Sequence, residues 1–201
     1  MLKLLEQYLI NHCAPTLCGV KIANLISVPL KDIELIDIQS VNKLINKHNM
    51  HLYLLRKNSK SMLLYIFNIS DLTKRLKKNN VKDFLDKYYY PLNSVFDILE
   101  HLKFRINSNK EFPHEIGIFL DYPLSDIESY ILNRGKNFIF VGTWKVYNDI
   151  EFALKRFNSF KLCNLYCKYY FDIGLNIEDI INKYKGEKNE EISYSLLEWN
   201  R

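Results

Sequence analysis

"HLYLLRKNSKSMLLYIF", residues 51–67, decides the fold class of this chain. Two apolar runs, 51–56 and 62–67, flank the polar "KNSKS", a pattern that predicts a β-hairpin. The second run, "MLLYIF", is the longest apolar run in the sequence. It falls far short of the ~20 residues that a membrane-spanning helix needs.

Upstream of the hairpin, "VKIANLISV" (20–28) reads as a strand stopped by Pro29. A helix is expected over 2–11, with Leu2, Leu5, Leu9 and Ile10 on one side. It should end before Pro15, which drives Ala14 out of the helical region. A second helix is expected over 31–48, with Ile33, Leu35 or Ile36, Val41, Leu44 and Ile45 inward. Downstream, "NISDLTKRLKK" opens a helix capped by Ser70 or Asn68, and the next helical stretch is interrupted at Pro91.

The second half alternates. "EIGIFLDYP" (115–123) reads as a strand and "SDIESYILNRG" as a short helix, with Ser125 and Glu128 in capping-box spacing and Gly135 at its stop. "KNFIFVGTWKVY" (136–147) reads as the next strand. Asn148 and Glu151 repeat the cap spacing before a helix running to about Tyr170, and "NIEDIINKYK" follows Gly174 as a last helix. This order predicts a parallel βαβ crossover. The expected fold is therefore α+β or α/β: a mixed sheet, with an N-terminal antiparallel hairpin and a C-terminal βαβ unit, flanked by helices. One domain is expected over 1–185. The charged segment 186–201 reads as a loose tail from which Leu196, Leu197 and Trp199 could dock.

A hydrophobic content of 48% is ample for a packed core and too high for a disordered chain. The net charge of +5 comes from basic residues interleaved with acidic ones. The densest patch, Lys74-Arg75-x-Lys77-Lys78, reads as a solvated helix face, so nucleic acid is not an expected partner. Lys3, Glu6 and Gln7 break the first helix as a signal-peptide core, and no membrane association is expected. Four cysteines in a chain of 201 residues do not resemble a secreted disulfide scaffold. A cytoplasmic protein with reduced thiols is expected.

Three clusters carry the candidate chemistry. In "HCAPTLCGVKIANL" (12–25), Cys13 is a candidate nucleophile beside His12, with Lys21 further along; it reads equally as a small side chain packed at a turn. Cys13 and Cys18 with Cys163 and Cys167 would make a four-cysteine zinc set. However, the last two share a helical stripe with Ala153, Phe157 and Phe160, which marks a core face. In "FPHEIGIFLDYP" (112–123), an extended chain would send His114 and Glu115 to opposite faces. Asp121 would lie at a strand's carboxyl end, where ligands of open sheets gather. In "GKNFIFVGTWKVYND" (135–149), Gly142 hints at a bulge, and Trp144, Lys145 and Tyr147 offer stacking faces and a point charge. No HExxH, P-loop, GxGxxG or GxSxG motif is present.

These three blocks, in this order, resemble an uncharacterised bacterial family of anaerobes, domain of unknown function 3793, known by its PHE and LGYP signatures. The similarity extends to about residue 180. His12, Cys13, Pro15, Thr16 and Lys21 fall on the first shared motif and Pro113, His114, Glu115, Tyr122 and Pro123 on the second. Gly142, Trp144, Lys145 and Tyr147 fall on the third. Asp121 stands where the family usually has Gly. The resemblance implies no established activity.

The expected site is one pocket on which the three clusters converge, binding a small anionic or planar metabolite. Cys13, His114 and Glu115 are its candidate catalytic groups for thiol or acid–base chemistry. His12, Thr16, Lys21 and Asp121, with Tyr122, Trp144, Lys145 and Tyr147, are its candidate ligand-binding groups. Two other classes compete. One is a metal- or haem-handling protein using His12, Cys13 and His114 as ligands. The other is a protein-interaction module using the tail or the hairpin edge.

Overall fold

The computed structural model describes residues 2–108 and 111–187. The predicted hairpin is present: β2 (Met50–Lys57) and β3 (Ser61–Asn68) pair antiparallel, with Tyr53 opposite Tyr65. Its turn is fastened by the Asn58 side chain, whose Oδ1 accepts the backbone N–H groups of Lys60 and Ser61, each at 2.8 Å. β1 (Ala23–Pro29) adds antiparallel to the other edge of β3, giving the order β1-β3-β2.

The central place of β3 explains its sequence. Side chains alternate across a strand. Met62, Leu64 and Ile66 enter one core, and Leu63, Tyr65 and Phe67 enter another on the opposite face. A strand covered on both sides reads as a continuous apolar run. On the first face pack α1 (Leu2–Leu17), α2 (Leu35–Ile45), α8 (Ile150–Asp172) and α9 (Ile177–Gly186). On the second pack α3 (Ile69–Leu76), α4 (Asn79–Asp86), α5 (Val95–Ser108), α6 (Ile116–Phe119) and α7 (Leu124–Leu132). The fold is α+β, an antiparallel sheet flanked by helices. No described helix is long and apolar enough to cross a membrane.

Several local expectations hold. Asn68 caps α3 by accepting from the N–H groups of Ser70 and Asp71, and the stretch around Pro91 separates α4 from α5. Gly135 follows α7 with φ +71°. Others are corrected. α1 does not stop before Pro15 but runs through it to Leu17. Proline inside a helix costs about 3 kcal/mol. Here the extra turn buries Cys13, Ala14 and Leu17 completely or nearly so, which offsets that cost. In α2, Leu35 and Ile36 are exposed and Ile38 takes the inward position.

The larger correction is in the second half. Residues 115–123 are not a strand: α6 is a single helical turn, with Ile118 N–H bonded to the Glu115 carbonyl at 3.0 Å. All four of its residues are buried, and the Tyr65 hydroxyl donates to the Phe119 carbonyl at 2.7 Å. A short apolar run has the same composition whether it is a buried turn or a strand. Residues 136–147 fold back on themselves as β4 (Phe140–Val141) and β5 (Lys145–Val146), an antiparallel pair. Gly142 therefore lies in a turn, and the C-terminal βαβ unit and the mixed sheet do not form among the described residues. The Ser125–Glu128 box is also absent, because α7 starts two residues earlier, with Pro123 at its N-cap. α8 is capped by Asp149, not Asn148. Residues 188–201, with Leu196, Leu197 and Trp199, lie outside the described residues.

Candidate functional site

The α6 turn, α7 and the β4–β5 hairpin enclose a cavity of about 470 Å³. Phe112, Ile127, Tyr130 and Trp144 supply apolar wall, and Tyr122 closes one side. Gly117 lets the α6 turn sit against α7: a Cβ there would stand 2.8 Å from Cγ1 of Ile127.

Asp126 organises this region. It is 3% exposed, yet its carboxylate is fully used. Oδ2 accepts the Trp144 indole N–H at 2.8 Å. Oδ1 accepts the backbone N–H groups of Tyr147 (3.0 Å) and Asn148 (3.1 Å) and the Asn148 side-chain amide (3.0 Å). One buried carboxylate thus joins α7 to β5 and to the approach to α8, and a buried charge is tolerated only with such partners. Trp144 then stacks edge-on against Phe157 of α8, ring centroids 4.5 Å apart, and lies 5.1 Å from Tyr122.

Besides the fully bonded Asp126, three groups give the cavity its polarity: Lys145, His114 and, exposed at the mouth, Glu111. Lys145 donates to the Gly135 carbonyl at 2.7 Å and stands 4.8 Å over the Phe138 ring and 5.7 Å over Tyr130. An ammonium has three donors, so this contact leaves others for a ligand. His114 is exposed at the rim, its ring edge-on to Tyr130 at 5.1 Å.

Of the residues expected to converge, His114, Tyr122, Trp144 and Lys145 line the cavity. The rest stand elsewhere. Cys13 is wholly buried in the first core, and that burial pushes its thiol far above the ordinary range. Such a thiol is not a nucleophile. Glu115 is 1% exposed and is held by Arg105 and by the Tyr90 hydroxyl at 3.2 Å. It fastens α5 to the α6 turn and does not face the cavity. His12 is exposed on α1, against Tyr8. Thr16 is buried and donates to Asn24 at 2.7 Å. Tyr147 contributes its backbone N–H to Asp126, and its buried hydroxyl has no partner among the described residues.

Asp121 and Lys21 belong to a neighbouring groove. Asp121 takes φ +63°, the left-handed backbone that glycine adopts at no cost. Its carboxylate lies between Arg156 of α8 at 2.5 Å and Arg75 of α3 at 3.6 Å. Lys21 is 4% exposed and lies 5.3 Å over the Tyr122 ring, so Tyr122 stands between groove and cavity.

Neither of the alternative ligand sets, the four cysteines or His12, Cys13 and His114, assembles among the described residues. Cys18 and Cys167 have sulfurs 3.5 Å apart, and Cys163 lies 3.8 Å from the Tyr184 hydroxyl, packed between α1, α8 and α9. No group of three or more His, Cys, Asp or Glu side chains among the described residues is placed to hold a metal ion.

Sequence reasoning missed Asp126, Phe112, Ile127, Tyr130, Arg75 and Arg156. Asp126 reads as ordinary first-turn acid of a helix, and nothing in its spacing points 18 residues ahead to Trp144. The basic run at 74–78 was the one available signal for Arg75.

Searches of curated proteins and of solved structures find no significant match to this chain. A family model described as "Protein of unknown function (DUF3793)" matches residues 9–181. That span contains all three motif blocks, the cavity and the groove, and the chain belongs to this family.

Proposed function

We propose that this protein binds a small, mostly apolar and planar metabolite with an acidic end, in the cavity between α6, α7 and the β4–β5 hairpin. The observation that carries the reading is the pairing of aromatic walls (Tyr122, Tyr130 and Trp144) with one ammonium, Lys145, at the same cavity. The volume of about 470 Å³ suits a ligand of metabolite size. Aromatic faces favour flat ligands, and Lys145 favours an anionic end. His114 at the rim adds an imidazole, the side chain best suited to move a proton near neutral pH. Thiol chemistry has no support in this reading, because Cys13 is sealed in the first core. A cytoplasmic, reducing setting goes with it, supported by four cysteines that stand free.

The test uses anilinonaphthalene sulfonate, an aromatic anion of metabolite size, as probe. Saturable binding at one site is expected, with quenching or a shift of Trp144 emission measured in a Trp199→Phe background. Lys145→Met should weaken the binding about tenfold or more, the usual result of removing one partner of an enclosed charge pair. Binding that is unsaturable, or unchanged by Lys145→Met, overturns the reading.

A further inference from the structure

The groove beside the cavity carries an independent observation. Lys21 is 4% exposed. Among the described residues, its Nζ makes no hydrogen bond and no ion pair within 4 Å; the rings of Tyr122 (5.3 Å) and Phe160 (5.7 Å) lie beside it, and Asp121 acts on it only at longer range. A side chain this buried holds its ammonium largely away from water with no fixed acceptor, which is costly, and the Nζ opens only onto the groove that it lines. Lys21 lines a groove of about 400 Å³ whose other walls include Arg75, Arg156, Lys78 and Asp121.

The charges there do not balance. Lys21, Arg75 and Arg156 share one carboxylate, that of Asp121, and Lys78 adds a fourth cation at the groove. The other acid of the groove, Asp71, is occupied by Lys74 at 3.2 Å. Nor are the arginines free to turn away. Arg75 donates to the carbonyls of Ile118 (2.8 Å) and Tyr122, and Arg156 donates to the Val20 carbonyl at 2.9 Å. They supply a fixed positive field, and Lys21 supplies uncommitted N–H donors within it.

We propose that this groove is an anion site for a phosphate group, free or as a phosphomonoester, with Lys21 as its direct ligand and Asp121 holding the arginines in place. A phosphate dianion matches the uncompensated charge better than a carboxylate, and lysine binds phosphate as a point charge. The proposal does not depend on the cavity reading. The basic run at 74–78 turns Lys74, Arg75 and Lys78 toward this groove in place of a purely solvated face, Lys74 being held by Asp71.

The test is calorimetric titration of the full chain with inorganic phosphate and, separately, phenyl phosphate, at ionic strength held constant with chloride. Saturable binding of either is expected; tighter binding of phenyl phosphate identifies an ester ligand, and equal binding identifies the phosphate group alone. Lys21→Met should weaken phosphate binding about tenfold or more. It should also raise the melting temperature without phosphate, because it removes a buried unpaired charge. Lys78→Glu, a change at the exposed edge that does not threaten folding, should weaken binding several-fold. Lys145→Met should leave phosphate binding unchanged, which separates this site from the cavity. No phosphate binding above chloride, or undiminished binding in both Lys21→Met and Lys78→Glu, overturns the proposal.

Discussion

Trp144 donates its indole N–H to Asp126 across 2.8 Å, with both side chains buried. The cavity wall therefore depends on a carboxylate that also holds the backbone of Tyr147 and Asn148. Asp126→Ala leaves three or more donors unsatisfied and is expected to destabilise the protein by about 3–5 kcal/mol, the range for breaking a buried charged network. Trp144→Phe removes only one donor and should cost about 1–3 kcal/mol. Urea unfolding of both variants gives the comparison; equal effects would show that Asp126 does not hold the hairpin backbone.

Gly142 has no room for a side chain. A Cβ there would stand 2.2 Å from the Phe157 ring. Gly142→Ala should therefore destabilise the protein by about 1–3 kcal/mol, the usual cost of overpacking. Phe157→Leu should relieve part of that cost in the double variant. A thermodynamic cycle measures the coupling, and additive single effects would mean that the hairpin moves away freely.

Three of the four cysteines are buried, and Cys18 is partly exposed. Labelling of the native protein by an aromatic disulfide should give no fast thiol, since burial pushes even the most accessible one, Cys18, far upward, and all four should react only after denaturation. Cys13 should stay silent from pH 6 to pH 9, since burial pushes its thiol upward. Cys13→Ala should cost about 1–2 kcal/mol through lost packing. A fast, low-pH adduct on Cys13, located by mass spectrometry, would restore the thiol chemistry excluded above.

Lys21 gives a pH signature. Burial pulls its ammonium down from 10.5 to about 8, opposed by Asp121 and Cys13 and reinforced by Arg156. The folded protein then releases this proton near pH 8 and the unfolded chain near 10.5. Below pH 8 the folded state bears the full penalty of the buried charge. As pH rises from 8 to 10.5 the unfolded chain holds more protons, so folded stability rises by about 3 kcal/mol on account of this group. The stability advantage of Lys21→Met over the natural chain should therefore be greatest below pH 8 and shrink toward pH 10.5. A constant advantage across that window would mean that Lys21 titrates normally.

The sequence was most readable where one local signal governs one element. The apolar runs of 62–67 and 51–56 became strands, and Asn68 became a cap, because each depends on immediate neighbours. It was least readable where long-range packing decides. Ile116–Phe119 is a helical turn because Tyr65 and the second core hold it in place, and composition does not carry that packing. Pro15 lies inside a helix because burial of Cys13 and Leu17 outweighs a local penalty. The site divided in the same way. Aromatic and basic residues at 122, 144 and 145 stood out by type and do meet. Cys13 and Glu115 also stood out by type, but one packs a core and the other fastens Arg105.

The first core joins α1, α2 and the sheet, all within the opening third of the chain, to α8 and α9 near its far end. During synthesis on the ribosome, then, α1 and α2 can settle on the sheet early, but the apolar flank of α1 that meets α8 and α9 stays bare until the closing helices leave the exit tunnel. A transient cover for that exposed helix flank, such as a chaperone, is what this topology asks of the cell in the interval.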